Sequence, residues 1–430
     1  MSTPLRLGLA GLGTVGIGVV KIVQRHADLI AARAGRPVVI TAVSARDRTK
    51  ARDADLSGYA WETDPVALAR RDDVDVFIEV MGGSEGAAKA ATEAAIAAGK
   101  DVVTANKALL AHHGQALAEA AEAAGRVIRF EAAVAGGIPV IKVLTEGLAA
   151  NQIRRVMGVM NGTCNYILTR MQTAGLPYET VFEEARALGY LEADPNLDVG
   201  GIDAGHKLSL LAAIAFGTRV SFDAVELEGI GNVSIDDIRM ADEMGYHIKL
   251  LGVAQMTGRG LEQRMTPCLV PADSPLGQLQ GGTNMVVLEG DSVGQIVLRG
   301  PGAGEGPTAS AVMGDVMDLA RGFRLPTFGR PATSLVAATP AKSATPAPYY
   351  LRMTLLDKPG ALAKVATCLG EAGISIDQMR QINQPGEDDY AVVLIVTHKA
   401  APADITHALS AFPATGVVQG KAVAIRIEEV

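Results

Sequence analysis

The chain has few cysteines, few aromatics and no block of charge of one sign, and each shortage removes a class of protein. Its three cysteines are Cys164, Cys268 and Cys368. They stand about a hundred residues apart with no CxxC pair, which excludes a cysteine-based zinc site and fits a reducing compartment. No long basic run offsets the net charge of −8, so nucleic acid is not an expected partner. No window approaches the roughly eighteen apolar residues of a membrane span. The first residues run straight into a strand-like stretch, without a basic segment or cleavage site, and the expected location is cytoplasmic. What is present is 48% hydrophobic and 20% charged over 430 residues, the profile of a well-packed protein of two or three domains.

Residues 1–134 read as alternating strands and helices. Leu5–Ala10 is a short apolar strand, and Gly11-Leu12-Gly13-Thr14-Val15-Gly16 follows at once and leads into a helix predicted over 17–25. Strand, G-x-G-x-x-G and helix in that order form a dinucleotide fingerprint. The glycines permit a tight turn, and N–H groups at the helix start, around Thr14 and Val15, face a pyrophosphate. A glycine-rich turn without a ligand uses the same residues. The next strand, Val38–Ser44, runs into Ala45-Arg46-Asp47-Arg48. Arg46 suits a 2′-phosphate and favours NADP(H), whereas Asp47 suits the ribose of NAD(H), which the sequence also admits. Val74–Val80 ends in Met81-Gly82-Gly83-Ser84, and an alanine-rich helix is predicted over 85–98. Strand Asp101–Thr104 then delivers Lys107 to the crevice at the carboxyl ends of the strands, unless it is a plain surface lysine. The alternation predicts a doubly wound, Rossmann-type α/β domain.

Residues 135–335 read as an α+β domain for substrate binding and dimerisation, its last helix able to pack back on the first domain. Its centre is Gly189–Leu211, GYLEADPNLDVGGIDAGHKLSLL, read as a loop through Pro195 and Gly200-Gly201 and then a helix over 202–214. Asp203 and Lys207 share one helical face, with Glu192, Asp194 and Asp198 in the loop before them. A lysine among carboxylates can move protons; an ordinary i,i+4 ion pair on a solvated face fits the spacing as well. Upstream, Phe130–Val140 (FEAAVAGGIPV) sets Glu131 ahead of the bare backbone at Gly136-Gly137, either a hard-cation ligand or a turn. After a strand at 156–159, Asn161-Gly162-Thr163-Cys164-Asn165 is a carboxylate cradle or a helix cap, with a helix from Tyr166. Gly300–Thr308 (GPGAGEGPT) reads as a flexible loop before a helix over 310–320. Residues 336–348, rich in proline and alanine, read as a semi-rigid linker, and 349–430 as a βαββαβ, ferredoxin-like module.

Two long phrases, NGTCNYIL at Asn161–Leu168 and LGYLEADPNLDVGGIDAGHKLSLLA at Leu188–Ala212, resemble the substrate segments of homoserine dehydrogenases. Leu276–Val287 and Gly300–Thr308 are also similar to phrases of that family, and DKPGALAKV at Asp357–Val365 resembles ACT domains. The resemblance covers nearly the whole chain and points to the monofunctional type. It implies NAD(P)H-dependent, reversible reduction of L-aspartate 4-semialdehyde to L-homoserine, on the branch to threonine, methionine and isoleucine. It further implies Lys207 as the proton donor and acceptor, with Lys107 reaching the same site to position or polarise the substrate beside the cofactor. Glu192 and Asp203 would hold the substrate's amino group or hydroxyl, and the backbone at Gly304 would face the nicotinamide. A sodium ion would rest on Glu131 and the carbonyls of Val134, Gly136 and Ile138. Threonine is the implied effector of the C-terminal module, with Gly360 letting its carboxylate approach a helix start; a module that serves only dimerisation is the alternative. A homodimer or homotetramer is expected. Rival readings are a dehydrogenase of another amino acid and an amino-acid sensor with an inactive dinucleotide fold.

Overall fold

The computed structural model describes residues 3–191, 194–383 and 389–430, so Glu192 of the expected substrate set lies outside the described residues. The first sheet holds β1 (Leu5–Ala10), β2 (Val38–Ser44), β3 (Ala60–Glu62), β4 (Val76–Glu79), β5 (Asp101–Thr104) and β6 (Ile128–Arg129). All pair in parallel in the order β3-β2-β1-β4-β5-β6. Parallel strands need crossovers, and α1 (Thr14–Arg25), α2 (Ala27–Ala34), α3 (Pro65–Arg70), α4 (Ala87–Ala97) and α5 (Lys107–Ala123) supply them. The order reverses between β1 and β4, which opens a crevice at their carboxyl ends.

The second part runs through α6 (Val140–Lys142), β7 (Ile153–Val159), α7 (Gly162–Ala174), α8 (Tyr178–Ala187), α9 (Pro195–Val199) and α10 (Ile202–Phe216). It continues with β8 (Glu226–Leu227), α11 (Ile235–Glu243), β9 (Tyr246–Thr257), β10 (Gly260–Pro271), β11 (Thr283–Gly290), β12 (Gly294–Pro301) and α12 (Glu305–Ala320). The C-terminal part, β13 (Tyr349–Leu356), α13 (Ala361–Glu371), β14 (Ile376–Asn383), β15 (Tyr390–Thr397), α14 (Pro402–Ala411) and β16 (Val418–Ile427), has the βαββαβ order. The last two parts share one sheet, β12-β11-β7-β9-β10-β16-β13-β15-β14, with β8 beside β10. The join is a short parallel seam, Cys268 opposite Arg426 and Leu269 opposite Ile427. The segment before β13 lies along β10, where Leu261 N donates to Thr339 O (2.9 Å) and Thr345 N to the Glu262 carboxylate (2.9 Å).

Helix α12 belongs by packing to the first sheet. Its Ala309, Val312, Met313, Val316 and Leu319 share one core with Leu7, Val19, Val20 and Val23. Gly18 of α1 makes the approach feasible, since a Cβ there would lie 2.7 Å from Glu305 O and 2.8 Å from Ala309 Cβ.

Several element starts differ from those expected, each for a local reason. Helix α7 begins at Gly162, not Tyr166, because Asn161 Oδ1 caps it by accepting from Cys164 N (2.8 Å). Part of the predicted loop is α9, with Pro195 in its first turn and Asp194 as cap, accepting from Asn196 N (3.0 Å). Gly300–Thr308 is not one flexible loop: its first residues end β12, and α12 starts at Glu305 rather than Ser310. Pro307 falls in the first turn, where a missing N–H costs no intrahelical bond. Among the described residues no helix is long and apolar enough to cross a membrane.

Candidate active site

The three fingerprint glycines have separate duties. Gly11 sits at φ 103°, and a Cβ there would lie 2.7 Å from Val80 O. A Cβ on Gly16 would lie 1.9 Å from Gly11 O, so turn and helix start can meet only if Gly16 is bare. Gly13 has nothing within 4 Å of its would-be Cβ and faces open space. Among the described residues no side chain caps the start of α1, so an anion can take its N–H groups. Glu79, which the sequence reading missed, fixes the opposite rim. It is fully buried; Oε1 accepts from Met81 N (2.7 Å) and Gly82 N (3.2 Å), and Oε2 from Thr104 Oγ1 (2.7 Å). Its signal was a single carboxylate ending an apolar strand just before two glycines. A nicotinamide dinucleotide fits these residues: a bare turn, free helix N–H groups and an open crevice.

Past β2, Asp47 is turned onto its own loop. Its carboxylate accepts from Thr49 Oγ1 (2.7 Å), Thr49 N (2.8 Å) and Lys50 N (3.3 Å), which hold it below the usual carboxylate range. Arg46 is exposed beside it, and the guanidinium groups of Arg48 and Arg52 lie 5.8 and 5.4 Å from the Trp61 ring.

A cleft of about 660 Å³ runs from Thr14 and Val15 past Met81 and Gly82 to Lys107, Asp203 and Lys207, and on to Asn161, Asn284 and Gly302. Lys107 opens α5, aimed by the cap Asn106, which accepts from Leu109 N (3.0 Å) and donates to Gly83 O (2.7 Å). Asp203 and Lys207 come from α10. One carboxylate bridges both lysines: Asp203 Oδ1 is 2.7 Å from Lys107 Nζ, and Oδ2 is 2.7 Å from Lys207 Nζ. The i,i+4 pair is therefore not on a solvated face, Asp203 and Lys207 being 8% and 9% exposed. Burial by itself raises the Asp203 carboxyl, but Lys207 and Lys107 outweigh it and hold it far below the usual range. Lys207 Nζ also donates to Met160 O (2.9 Å), which fixes its direction.

Around this bridge, Asp198 is buried and accepts from Asn161 Nδ2 (3.2 Å), and Thr163 Oγ1 donates to Tyr190 O (2.9 Å). Cys164 is buried, its Sγ 3.3 Å from Asp198 O, and burial followed by the Asp198 charge pushes the thiol far up, which leaves no nucleophile there. Of the expected residues, Thr14, Val15, Lys107, Gly136, Asp203, Lys207 and Gly304 line this cleft. Arg46 lies on the loop after β2, and Gly360 caps α13 in the C-terminal part. Glu131, Val134 and Ile138 are buried.

His206, beside Lys207 in sequence, packs away from the cleft against Phe222 (4.2 Å between centroids) and His112 (5.4 Å), between α10 and α5. Burial, then the neighbouring His112, lowers its pKa to about 4. The unfolded chain, with histidine near 6.5, binds more protons between those values, so stability present above about pH 6.5 is lost as pH falls toward 4. Urea unfolding should show about 2 kcal/mol lost between pH 7 and 5 from this group, and His206→Gln should remove that share. Equal losses in both proteins would place the acid sensitivity elsewhere.

A Rossmann sheet facing a lysine–aspartate–lysine bridge across one cleft defines a nicotinamide-dependent oxidoreductase. Comparisons with known proteins agree. The chain matches the family models for homoserine dehydrogenase over residues 139–317, for the homoserine dehydrogenase NAD binding domain over 11–131, and for the ACT domain over 349–413. It is 42% identical to the homoserine dehydrogenase of Neisseria gonorrhoeae over 99% of both chains. A homoserine dehydrogenase structure from Thiobacillus denitrificans superposes with a TM-score of 0.93 at 39% identity, covering 99% of each chain. A hyperthermophilic archaeal homoserine dehydrogenase in complex with NADPH superposes at 0.63 with 26% identity, covering 75% of this chain and 99% of that one. The chain belongs to the homoserine dehydrogenase family.

Proposed function

We propose that this chain interconverts L-aspartate 4-semialdehyde and L-homoserine with NADP(H), in the cytoplasm, on the branch to threonine, methionine and isoleucine. The observation that carries the reading is Asp203, a buried carboxylate holding ammonium groups from both sides of the cleft. A bound dinucleotide would supply or accept the hydride. In the reductive direction Lys207 gives a proton to the aldehyde oxygen, and in the reverse direction it takes one from the alcohol. Lys107 polarises the same oxygen, and Asp203 keeps both cations at the site and meets the substrate's polar groups. Glu192 is assigned by family resemblance to the substrate's amino group or hydroxyl.

The commitment of Asp47 to Thr49 and Lys50 supports NADP(H) over NAD(H), because it removes the acceptor a ribose would use and leaves Arg46 for a 2′-phosphate. NADPH oxidation with aspartate 4-semialdehyde should exceed NADH oxidation, and Arg46→Ala should lower kcat/KM for NADPH roughly tenfold or more while sparing NADH. No turnover with either dinucleotide would sink the reading, and equal losses for both would reject Arg46 as the phosphate contact.

A sodium site at Glu131, Val134, Gly136 and Ile138 is supported by donor chemistry, since carbonyl and carboxylate oxygens suit a hard cation. Ala135 and Gly136 stand at φ 56° and 53°, the former the one non-glycine residue with positive φ among the described residues. Glu131 Oε1 and Oε2 accept from Ile141 N (2.9 Å) and Lys142 N (2.8 Å), so its side chain is anchored at this loop. Such an ion would brace the loop. In the ACT domain, the open space at Gly360 and the uncapped start of α13 support threonine as effector. A homodimer or homotetramer is the assembly proposed.

A further inference from the structure

Asn284, the second residue of β11, lines the cleft yet is only 1% exposed. Its Oδ1 has no hydrogen-bond partner among the described residues. A buried amide oxygen left unpaired is costly, so such an atom marks a place where a donor arrives. The other asparagine of the cleft wall, Asn161, is fully engaged as the cap of α7 and as a donor to Asp198. The backbone has been cleared around Asn284 at Gly302, where a Cβ would fall 2.0 Å from Nδ2 and 2.5 Å from Oδ1, while Gly162 borders Oδ1 at ordinary contact distance.

Those two glycines fix where the donor belongs. Gly302 is in the turn that leads to Gly304 and α12, the helix packed on the fingerprint helix α1, whereas Gly162 starts α7 on the substrate side. Asn284 thus lines the same cleft as Thr14 and Val15, where a pyrophosphate would rest, and as Lys207. A substrate ammonium would be drawn to the carboxylates of Asp198 and Asp203, which line the same cleft. A neutral amide acceptor matches a neutral amide donor.

We propose that Asn284 accepts a hydrogen bond from the carboxamide N–H of the nicotinamide ring and so fixes which face of the ring is turned to the substrate. The inference rests on the reading that this cleft takes a nicotinamide dinucleotide. The test is calorimetric titration with NADP⁺ and with its 3-acetylpyridine analogue, in which a methyl group replaces the carboxamide NH₂. Wild type should bind NADP⁺ roughly three- to tenfold more tightly than the analogue, and Asn284→Ala should bind both alike. Gly302→Ala, which pushes the amide aside without removing it, should abolish the discrimination in the same way. Discrimination retained in Asn284→Ala, or equal weakening for both dinucleotides, overturns the proposal. Wild type that binds neither dinucleotide overturns instead the reading of the cleft on which it rests.

Discussion

Lys207→Met is expected to lower kcat by roughly a thousandfold while leaving the affinity for NADP(H) nearly unchanged. The size follows from position. Lys207 Nζ is held between Asp203 Oδ2 (2.7 Å) and Met160 O (2.9 Å), and its ammonium is aimed into the cleft from a helix that is otherwise apolar there. Lys107 reaches the other oxygen of the same carboxylate from a different element, so it cannot move into the vacated place without abandoning its own. The fold should survive, because Lys107 still neutralises Asp203 and no buried charge is left alone. Steady-state NADPH oxidation and thermal unfolding together check this. Activity within tenfold of wild type would move the proton transfer to another group, and a collapsed unfolding midpoint would make Lys207 a structural cation.

Arg264→Leu carries the second large effect, a loss of about 3 kcal/mol of stability. Arg264 on β10 is 2% exposed and pairs with Glu262 (3.0 Å) and with Glu428, which Arg426 also contacts. Arg155 adds a third cation, 2.7 Å from Glu289 and 3.8 Å from Glu428. Three arginines and three glutamates thus form a cluster that runs from β11 and β7 to the seam between β10 and β16. Removing Arg264 leaves an extra buried negative charge. Glu262 keeps Gln255 and Thr345, and Glu428 keeps Arg426, which places the cost toward the lower end for a broken buried pair. The seam has only two residue pairs of its own, so the ACT sheet should loosen first. Amide exchange that rises in β16 and β13 ahead of β9 would show this, whereas uniform exchange would mean the seam is not the weak point.

The parts of this molecule that were legible in its sequence are those set by neighbours along the chain. The fingerprint glycines, the strand before them and the Asp203–Lys207 spacing are local facts, and each appears where the pattern places it. The pairing of Asp203 with Lys107 is not local, and the sequence showed two candidates without the bridge between them. The solvated alternative for Asp203 failed because a near-apolar α10 buries both charged residues, which spacing cannot report. Asp47 shows another limit: its place after β2 suits a ribose, and nothing in the sequence reports that Thr49, two residues on, holds its carboxylate. Glu79 and Asn284 carried no motif, and only the packing of distant segments gives them meaning. Two helix starts were placed late where something other than hydrophobic period marks them, the Asn161 cap of α7 and Pro307 in the first turn of α12.

The return of α12 to the first sheet has a mechanical consequence. The chain crosses between the two sides of the cleft after β6, after β12 and again after α12, and the first two crossings run together. Gly137 N donates to Pro301 O (3.0 Å), and a Cβ on Gly136 would lie 2.4 Å from Gly302 O. Two crossings tethered side by side restrict how the two sides can shift against each other more than a single strand would. Gly136 and Gly302 themselves line the cleft. A ligand seated there touches the joint between the two sides as well as their walls, and added bulk at either glycine would disturb both at once.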